Sequence, residues 1–232
     1  MLGAGPGLGL SLAHRFGAEN HSVALISRSA SRHRDYLQSL EAAGIDAAAF
    51  TADVNDPPSL RAAVTAARRR FGRIDVGYYG PADMASLPGG ITQLSAADAE
   101  SALRSVVSAV DFASLLIPEL VERGSGGLLF AGGLSSVVPM PPLGGLALSS
   151  AALRNYAITL HAALAPAGVY AGTLTIGGLI ERGDIHRAMT ADPNMFGGAT
   201  ASTLNPDELA NTAWRLYQER TGAEAVVSTF TD

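Results

Sequence analysis

The sequence contains no cysteine, which excludes disulfide bonds and thiolate chemistry and suits a cytoplasmic protein. Charge is also scarce: charged residues make up 16% of the chain and the net charge is −5, which argues against a nucleic-acid-binding face. No apolar run approaches the roughly 20 residues of a membrane-spanning helix, and no signal peptide is visible, so we expect no membrane partner. The spacing of His, Asp and Glu indicates no metal site.

The 232 residues, 47% of them apolar, predict one domain over residues 1–232 with a sizeable core. Short apolar runs alternate with helical patterns, and we predict strands at 23–27, 47–51, 74–79, 128–131, 169–176 and 225–230. Such alternation predicts an α/β fold: a doubly wound parallel sheet in a three-layer αβα arrangement. Residues 181–203 show no clear period, and we interpret them as an irregular, mobile substrate lid.

Glycines dominate the first ten residues, where Gly3, Gly5, Gly7 and Gly9 alternate with other residues ahead of an amphipathic helix that begins near Leu8. Glycine allows sharp turns and close approach of the backbone to a ligand. The free N–H groups and positive dipole end of the following helix favour an anion. This glycine loop therefore predicts a pyrophosphate site.

Only Met1 and Leu2 precede the glycine loop, although a phosphate-binding loop of this kind should follow a buried strand. The first strand of a doubly wound sheet lies at its centre, beside the switch point where the ligand binds. We therefore expect the natural start of the chain to lie upstream, because the sheet would otherwise lack a full strand in its middle.

These features resemble the short-chain dehydrogenase/reductase family over essentially the whole chain. The matching residues are Gly3, Gly7, Gly9, the pair Asp53-Val54, Pro118, the stretch 151–169, Ile176-Gly177 and Leu179. The resemblance implies a Rossmann-type fold and an NAD(P)-dependent oxidoreductase. It assigns cofactor binding to Gly3, Gly5, Gly7, Leu8, Gly9, Arg28, Asp53, Val54, Gly80, Gly177 and Leu179.

Arg28 bears on the choice of cofactor because it directly follows the strand predicted at 23–27. A cation at this position suits the 2′-phosphate of NADP, whereas an acidic residue would bind the ribose hydroxyls of NAD. We expect NADP rather than NAD, with an ordinary solvated arginine as the alternative.

The catalytic residues that the resemblance implies are not found at the matching positions. The family's Asn, Ser, Tyr and Lys correspond to Ser105, Gly133, Leu146 and Ser150. A shifted alignment does not restore them, because no lysine occurs between residues 126 and 170. Ser135 or Ser136 could replace the orienting serine but not the acid. The usual mechanism is therefore not expected, since losing a general acid removes about 10²–10⁴ in rate.

Other side chains could donate a proton at the same edge of the sheet, and the candidates are Tyr78, Tyr79, Asp83 and Glu181. Three functions remain open: an oxidoreductase with a substituted proton donor, a cofactor-binding regulator or partner subunit without redox activity, and a non-redox cyclase or isomerase. Met189, Met195 and Phe196 in the lid favour an apolar small-molecule substrate. The resemblance also implies a homodimer or homotetramer through the fourth and fifth helices.

Overall fold

The computed structural model describes residues 1–82, 90–192 and 202–230. Asp83, Met195 and Phe196, which the sequence singled out, lie outside these ranges. The main strands are β1 Val23–Ser27, β2 Ala47–Thr51, β3 Val76–Tyr79, β4 Gly127–Gly133 and β5 Tyr170–Gly177; after them come β6 Leu179–Ile180, β7 Thr203–Leu204 and β8 Glu224–Ser228. The helices are α1 Leu8–Gly17, α2 His33–Ala42, α3 Pro57–Phe71, α4 Ala96–Arg123, α5 Gly144–Leu164, α6 Asp184–Ala191 and α7 Pro206–Glu219.

Several helices begin at residues whose side chains accept hydrogen bonds from the first turn. Asp56 precedes α3 and accepts a hydrogen bond from the backbone N–H of Ser59. Ser95 and Asp98 form a reciprocal capping box at the start of α4, as the sequence predicted. Such caps satisfy backbone N–H groups that have no partner inside the helix. The starts of α3 and α4 are therefore fixed by local sequence.

The strands form a parallel sheet of the predicted α/β kind, with β1 paired to β2 and with β3, β4, β5 and β8 in consecutive order. Leu2 connects the two groups through parallel bridges to Ile26 and Tyr79. Its N–H donates to the carbonyl oxygen of Tyr78 at 2.9 Å, and its own carbonyl accepts from the N–H of Gly80 at 3.1 Å. Where we predicted an incomplete central strand, a fully buried Leu2 supplies the bridging hydrogen bonds.

The chain's first residue continues the same ladder. The α-amino group of Met1 donates to the carbonyl oxygen of Ala24 at 2.7 Å. Burial lowers the pKa of this amine to about 5, because the charged form loses its hydration. The Met1 carbonyl accepts from the N–H of Ile26 at 2.9 Å. Met1 and Leu2 together therefore occupy the centre of the sheet.

Helices cover both faces of the sheet and complete the three layers. Residues of α3, α4 and α5 pack on one face, in a cluster that includes Leu60, Phe112, Leu116, Phe130 and Leu153. Residues of α1 and α7 pack on the other, in a cluster that includes Leu12, Phe16, Leu129, Leu174 and Leu209. None of the described helices is both long and apolar enough to cross a membrane.

One local prediction was wrong. Part of the segment expected to be irregular forms a regular helix, α6. Gly183 precedes it in an extended conformation, and Asp184 in its first turn interacts favourably with the positive end of the helix dipole. The helix is only eight residues long, and so short a segment defines a helical period poorly from sequence.

Candidate functional site

The glycine loop bends tightly at its first glycine. Gly3 has φ +85°, and a Cβ added there would lie 2.5 to 2.7 Å from the backbone of Gly80 and Pro81. A Cβ on Gly9 would lie 3.0 Å from the Gly3 carbonyl oxygen. Only glycine therefore fits at residue 3, and the loop is held against the residue that follows β3.

The loop leads directly into α1, whose N-cap is Gly7 and which has no side-chain cap in the described structure. The Leu10 N–H donates to the Gly5 carbonyl of the loop at 3.0 Å. The N–H groups of Leu8 and Gly9 have no partner within the helix, and they lie at the positive end of the helix dipole. The positive φ at Gly3, the close approach of loop to β3 and the uncapped helix start fit the pyrophosphate of a dinucleotide. The residues present therefore suit NAD(P).

Further predicted cofactor residues meet at the same sheet edge, because parallel strands end on one side. Arg28 is exposed directly after β1, and Asp53 follows β2. The Asp53 carboxylate accepts from the N–H of Asn55 at 2.9 Å, which orients it at the strand end. Gly177 ends β5 and Leu179 begins β6. Parallel topology thus places Arg28, Asp53 and Gly177 at the carboxyl-terminal edge of the sheet.

Two of the predicted proton donors lie inside the core. Tyr78 is 4% exposed and Tyr79 is 1% exposed. Burial raises the pKa of both phenols above the ordinary value. The Tyr79 hydroxyl also donates to the backbone carbonyl of Ser105 at 2.6 Å. Neither phenol has the accessibility or the pKa that a proton donor near neutral pH requires.

Glu181, the remaining described candidate, lies in the segment that joins β6 to α6. Its carboxylate accepts from the Thr203 hydroxyl at 2.9 Å, and its N–H donates to the Leu204 carbonyl at 3.0 Å. These contacts direct its side chain toward β7. A Cβ on Gly7 would lie 3.1 Å from the Glu181 carbonyl oxygen, so this segment passes directly over the start of α1.

Ion pairs connect the same segment to the body of the domain. Arg32 immediately precedes α2. Its guanidinium donates to both carboxylate oxygens of Asp184, at 2.7 and 2.8 Å. Arg182 donates to the Ser11 hydroxyl at 3.1 Å and pairs with Asp207 at 2.8 Å. No local sequence pattern indicates these pairs, because the partners lie far apart along the chain.

The four positions that we matched to the family's catalytic residues from the sequence lie at the end of β4, in the first two turns of α5 and within α4. Gly133 ends β4, and Ser150 lies in the second turn of α5. A Cβ on Gly133 would lie 3.3 Å from Ser150 Oγ and 3.4 Å from Ser135 Oγ. Leu146, half-buried, lies in the first turn of the same helix. From the sequence, Ser150 was identified only as the residue at the position of the family's lysine. Its proximity to Ser135 was not predicted.

The chain segment that contains Gly133, Leu146 and Ser150 carries no charge. From residue 124 to residue 153 the sequence has no Asp, Glu, Lys, Arg or His. Val137 and Val138 are 52% and 40% exposed in the loop that follows β4. Among the residues that the structure describes, no group of three or more His, Asp or Glu could hold a metal ion. This mouth of the crevice, residues 133–150, is neutral and partly apolar.

Known proteins resemble this chain in sequence. A model of the short chain dehydrogenase family matches residues 1–188. The ketoacyl reductase HetN of Nostoc sp. is 26% identical over 229 residues, which cover 98% of this chain and 77% of that protein. A putative ketoacyl reductase of Streptomyces coelicolor is 32% identical over 149 residues, covering 60% of this chain and 55% of that protein.

Solved structures share the fold at low identity. An actinorhodin polyketide ketoreductase variant with NADPH has a TM-score of 0.85 at 19% identity, covering 98% of this chain and 93% of that one. An NADPH-bound short chain oxidoreductase from Pseudomonas aeruginosa PAO1, described as containing an atypical catalytic center, has a TM-score of 0.85 at 20% identity, covering 100% and 95%. With the family model matching most of its length, the chain belongs to the short-chain dehydrogenase family.

Proposed function

We propose that the protein is an NADP-dependent oxidoreductase that reduces a neutral ketone, of the ketoacyl class, without the family's usual tyrosine and lysine. The observation that carries cofactor binding is the glycine loop, in which Gly3 at φ +85° contacts the backbone after β3 ahead of the uncapped α1. The NADPH-bound structural neighbours and the ketoacyl reductase relatives support the cofactor and the substrate class.

Arg28 supports NADP over NAD. Its exposed side chain follows β1, where a 2′-phosphate would be bound by a guanidinium through charge-assisted hydrogen bonds. Asp53 would contact the adenine, and the first-turn N–H groups of α1 would bind the pyrophosphate. When bound, NADPH supplies a hydride to the carbonyl carbon of the ketone, and the carbonyl oxygen takes up a proton.

The source of that proton distinguishes this chain from the family pattern. The sequence contains no lysine, because all 16 of its Lys and Arg positions are arginine. Leu146 and Ser150 occupy the positions matched to tyrosine and lysine, and Tyr78 and Tyr79 are buried. We infer that protonation is slow and comes from solvent, so that turnover is about 10²–10⁴ slower than with a positioned acid.

The same features favour a second candidate, a cofactor-binding regulator without redox activity. A neutral mouth with no lysine and no accessible phenol among the described residues suits a binding protein as well as a slow enzyme. The two candidates share the dinucleotide site and differ only in turnover.

One titration separates these possibilities. Purified protein is titrated with NADPH and with NADH while the nicotinamide fluorescence is followed. An acetoacetyl thioester of N-acetylcysteamine is then added and NADPH absorbance is recorded over hours. Slow oxidation supports the oxidoreductase, and tight NADPH binding without oxidation supports the regulator. Failure to bind either dinucleotide would overturn both.

We also propose that the protein forms a homodimer through α4 and α5. The outer face of these helices exposes apolar side chains to solvent: Leu103, Val107, Val110 and Leu148. The fifth helix adds small residues that permit close approach of a second helix pair, among them Ala151 and Ala152. Burying such a face in a second copy removes apolar area from water.

A further inference from the structure

Gly80 directly follows β3, and its backbone conformation does not require glycine. Its φ lies outside the positive region that glycine favours. A Cβ at this position would instead overlap the hydroxyl oxygen and Cζ of Tyr78 and lie 2.8 Å from its Cε1. Alternate residues of a strand point to the same face of the sheet, so residues 78 and 80 share one face. The missing side chain at residue 80 therefore lets the Tyr78 ring extend along the strand toward its carboxyl end.

The neighbouring strand β5 contains the same arrangement with its hydrogen bond made. A Cβ on Gly172 would overlap the hydroxyl of Tyr170, two residues earlier on the strand. The Tyr170 hydroxyl donates to the backbone carbonyl of Gly222 at 2.9 Å. This is the ordinary arrangement, because a buried phenol hydroxyl usually finds an acceptor.

The hydroxyl of Tyr78 has no such acceptor among the described residues. Tyr78 is only 4% exposed, and no residue that the structure describes forms a hydrogen bond with its hydroxyl. Burial raises the pKa of this phenol, so the group keeps its proton and acts as a donor. A buried donor without an acceptor costs free energy, which indicates an acceptor that comes from outside the described chain.

The position of this hydroxyl singles it out. It lies over Gly80, whose carbonyl carbon and oxygen are the atoms that a Cβ on Gly3 would meet at 2.6 and 2.7 Å. The Tyr78 ring belongs to the same apolar cluster as Leu8 and Leu12 of α1. The phenol is therefore packed between the residue that the glycine loop contacts and the first turns of α1. Other buried side-chain atoms without a partner among the described residues are Arg15 Nε, Tyr36 Oη, Ser135 Oγ, Ser136 Oγ and Thr173 Oγ1.

We propose that the Tyr78 hydroxyl donates a hydrogen bond to a diphosphate oxygen of the bound dinucleotide. This assignment rests on the proposed function, which places the diphosphate at the glycine loop and the start of α1. The phenol is a neutral donor that keeps its proton, so it binds and orients the cofactor and takes no part in protonating the ketone. Gly80 belongs to the same device, because any side chain there would displace the phenol.

The test compares two phenylalanine variants by calorimetry. The probes are NADP⁺ and 2′-phospho-ADP-ribose, which keeps the diphosphate but lacks the nicotinamide. Tyr78→Phe removes only the hydroxyl, and it should weaken the binding of both probes about 10–100-fold. Without nucleotide its thermal unfolding temperature should not fall, because the lost hydroxyl has no partner within the described chain.

Tyr170→Phe is the matched control, because it removes a hydroxyl from the same kind of tyrosine–glycine arrangement. It should bind both probes as the unaltered protein does. Its unfolding temperature should fall by about 2–4 °C, since the Gly222 carbonyl loses its donor.

A spectroscopic measurement reports on the hydroxyl itself. Tyrosine labelled with ¹³C at Cζ gives one resonance per tyrosine, and the resonance that is absent from Tyr78→Phe belongs to Tyr78. We expect 2′-phospho-ADP-ribose to shift this resonance downfield, as a phenol does when it donates to an anionic oxygen. The Tyr170 resonance should stay in place.

The outcomes separate this assignment from the proposed function. If Tyr78→Phe binds both probes with unchanged affinity, if the Tyr78 resonance does not shift, or if only NADP⁺ binding weakens, the diphosphate assignment is overturned while the cofactor site stands. Failure of Tyr78→Phe to fold would also overturn the assignment, because the chain itself would then need the hydroxyl. If the unaltered protein binds neither probe, the proposed function is overturned and this assignment with it.

Discussion

Arg154 on α5 and Glu224 on β8 form a bidentate ion pair, with Nε to Oε1 at 2.6 Å and Nη2 to Oε2 at 2.5 Å. The Thr175 hydroxyl of β5 donates to the same carboxylate. The side chain of Glu224 is 17% exposed, so solvent screens this pair less than a surface pair. The contact ties α5, which carries Ser150, to the edge of the sheet.

Replacing this carboxylate tests its contribution to stability. Glu224→Gln should lower the free energy of unfolding by about 1.5–3 kcal/mol, because it leaves the Arg154 guanidinium without its charged partner. Denaturant unfolding followed by circular dichroism measures the change. Glu100→Gln is the control, since Glu100 pairs with an exposed Arg104 at 3.8 Å; an equal loss in both variants would contradict the prediction.

The same pair predicts a dependence on pH. The hydrogen bond from Arg154 lowers the pKa of Glu224 below its ordinary value of 4.5. Its stabilisation is therefore complete above that ordinary value and disappears as the pH falls through the lower pKa of the folded state. Unfolding curves of the unaltered protein and of Glu224→Gln should converge in acid.

Two alanine substitutions in the glycine loop should affect different properties, one the stability of the fold and the other the binding of NADPH. Gly3→Ala forces a Cβ to within 2.5 to 2.7 Å of backbone atoms at a positive φ, so it should lower the unfolding temperature by several degrees. A Cβ on Gly5 would meet only the Gly3 carbonyl at 3.9 Å. Gly5→Ala should therefore preserve stability yet weaken NADPH binding at least ten-fold. Retained NADPH affinity in a stable Gly5→Ala variant would argue against a pyrophosphate at this loop.

Arg28→Glu tests the cofactor preference. Losing a guanidinium bonded to the 2′-phosphate should weaken NADPH binding about 10–100-fold, while NADH binding changes little or improves. Fluorescence titration with both dinucleotides gives the ratio. Arg34→Glu, which alters an exposed arginine with a side chain 84% accessible, controls for the change in net charge. Parallel losses in the two variants would indicate a nonspecific electrostatic effect.

The Arg32–Asp184 pair predicts the behaviour of α6. Arg32→Gln should increase tryptic cleavage after Arg187 severalfold, because the first turn of α6 loses its link to the residue before α2. Global stability should change by less than about 1 kcal/mol, since both side chains are nearly half exposed. Arg34→Gln serves as the control, and identical cleavage rates in the two variants would show that the pair does not restrain α6.

Val107→Glu addresses the proposed dimer. Val107 is 61% exposed on α4, so a charge there should leave the monomer folded but prevent burial of the helix pair. Light scattering should then report half the mass of the unaltered protein. A monomer before any substitution would refute the proposal.

Structural features that depend on a local sequence pattern could be predicted from the sequence. Asp56 and Ser95 indicated where α3 and α4 begin, because their side chains satisfy the first turn of each helix. The parallel sheet followed from the alternation of strands and helices. The glycine loop was found at the start of α1 for the same reason, since residue type alone allows its tight bend.

Properties that depend on tertiary packing could not be predicted from local sequence. Tyr78 and Tyr79 end a strand that faces the crevice, and their position alone suggested accessible phenols. Packing on both faces of the sheet instead buries them, in separate apolar clusters. The proximity of Ser135 to Ser150 joins a turn and a helix, and no sequence spacing encodes that distance.

The uncharged stretch from residue 124 to residue 153 implies that the two proposed ligands, NADPH and a neutral ketone, respond differently to ionic strength. Salt screens the attraction between Arg28 and a phosphorylated dinucleotide, so that affinity should fall as salt is added. A neutral ketone bound against this uncharged stretch would have no such attraction to lose, and its affinity should stay constant or rise.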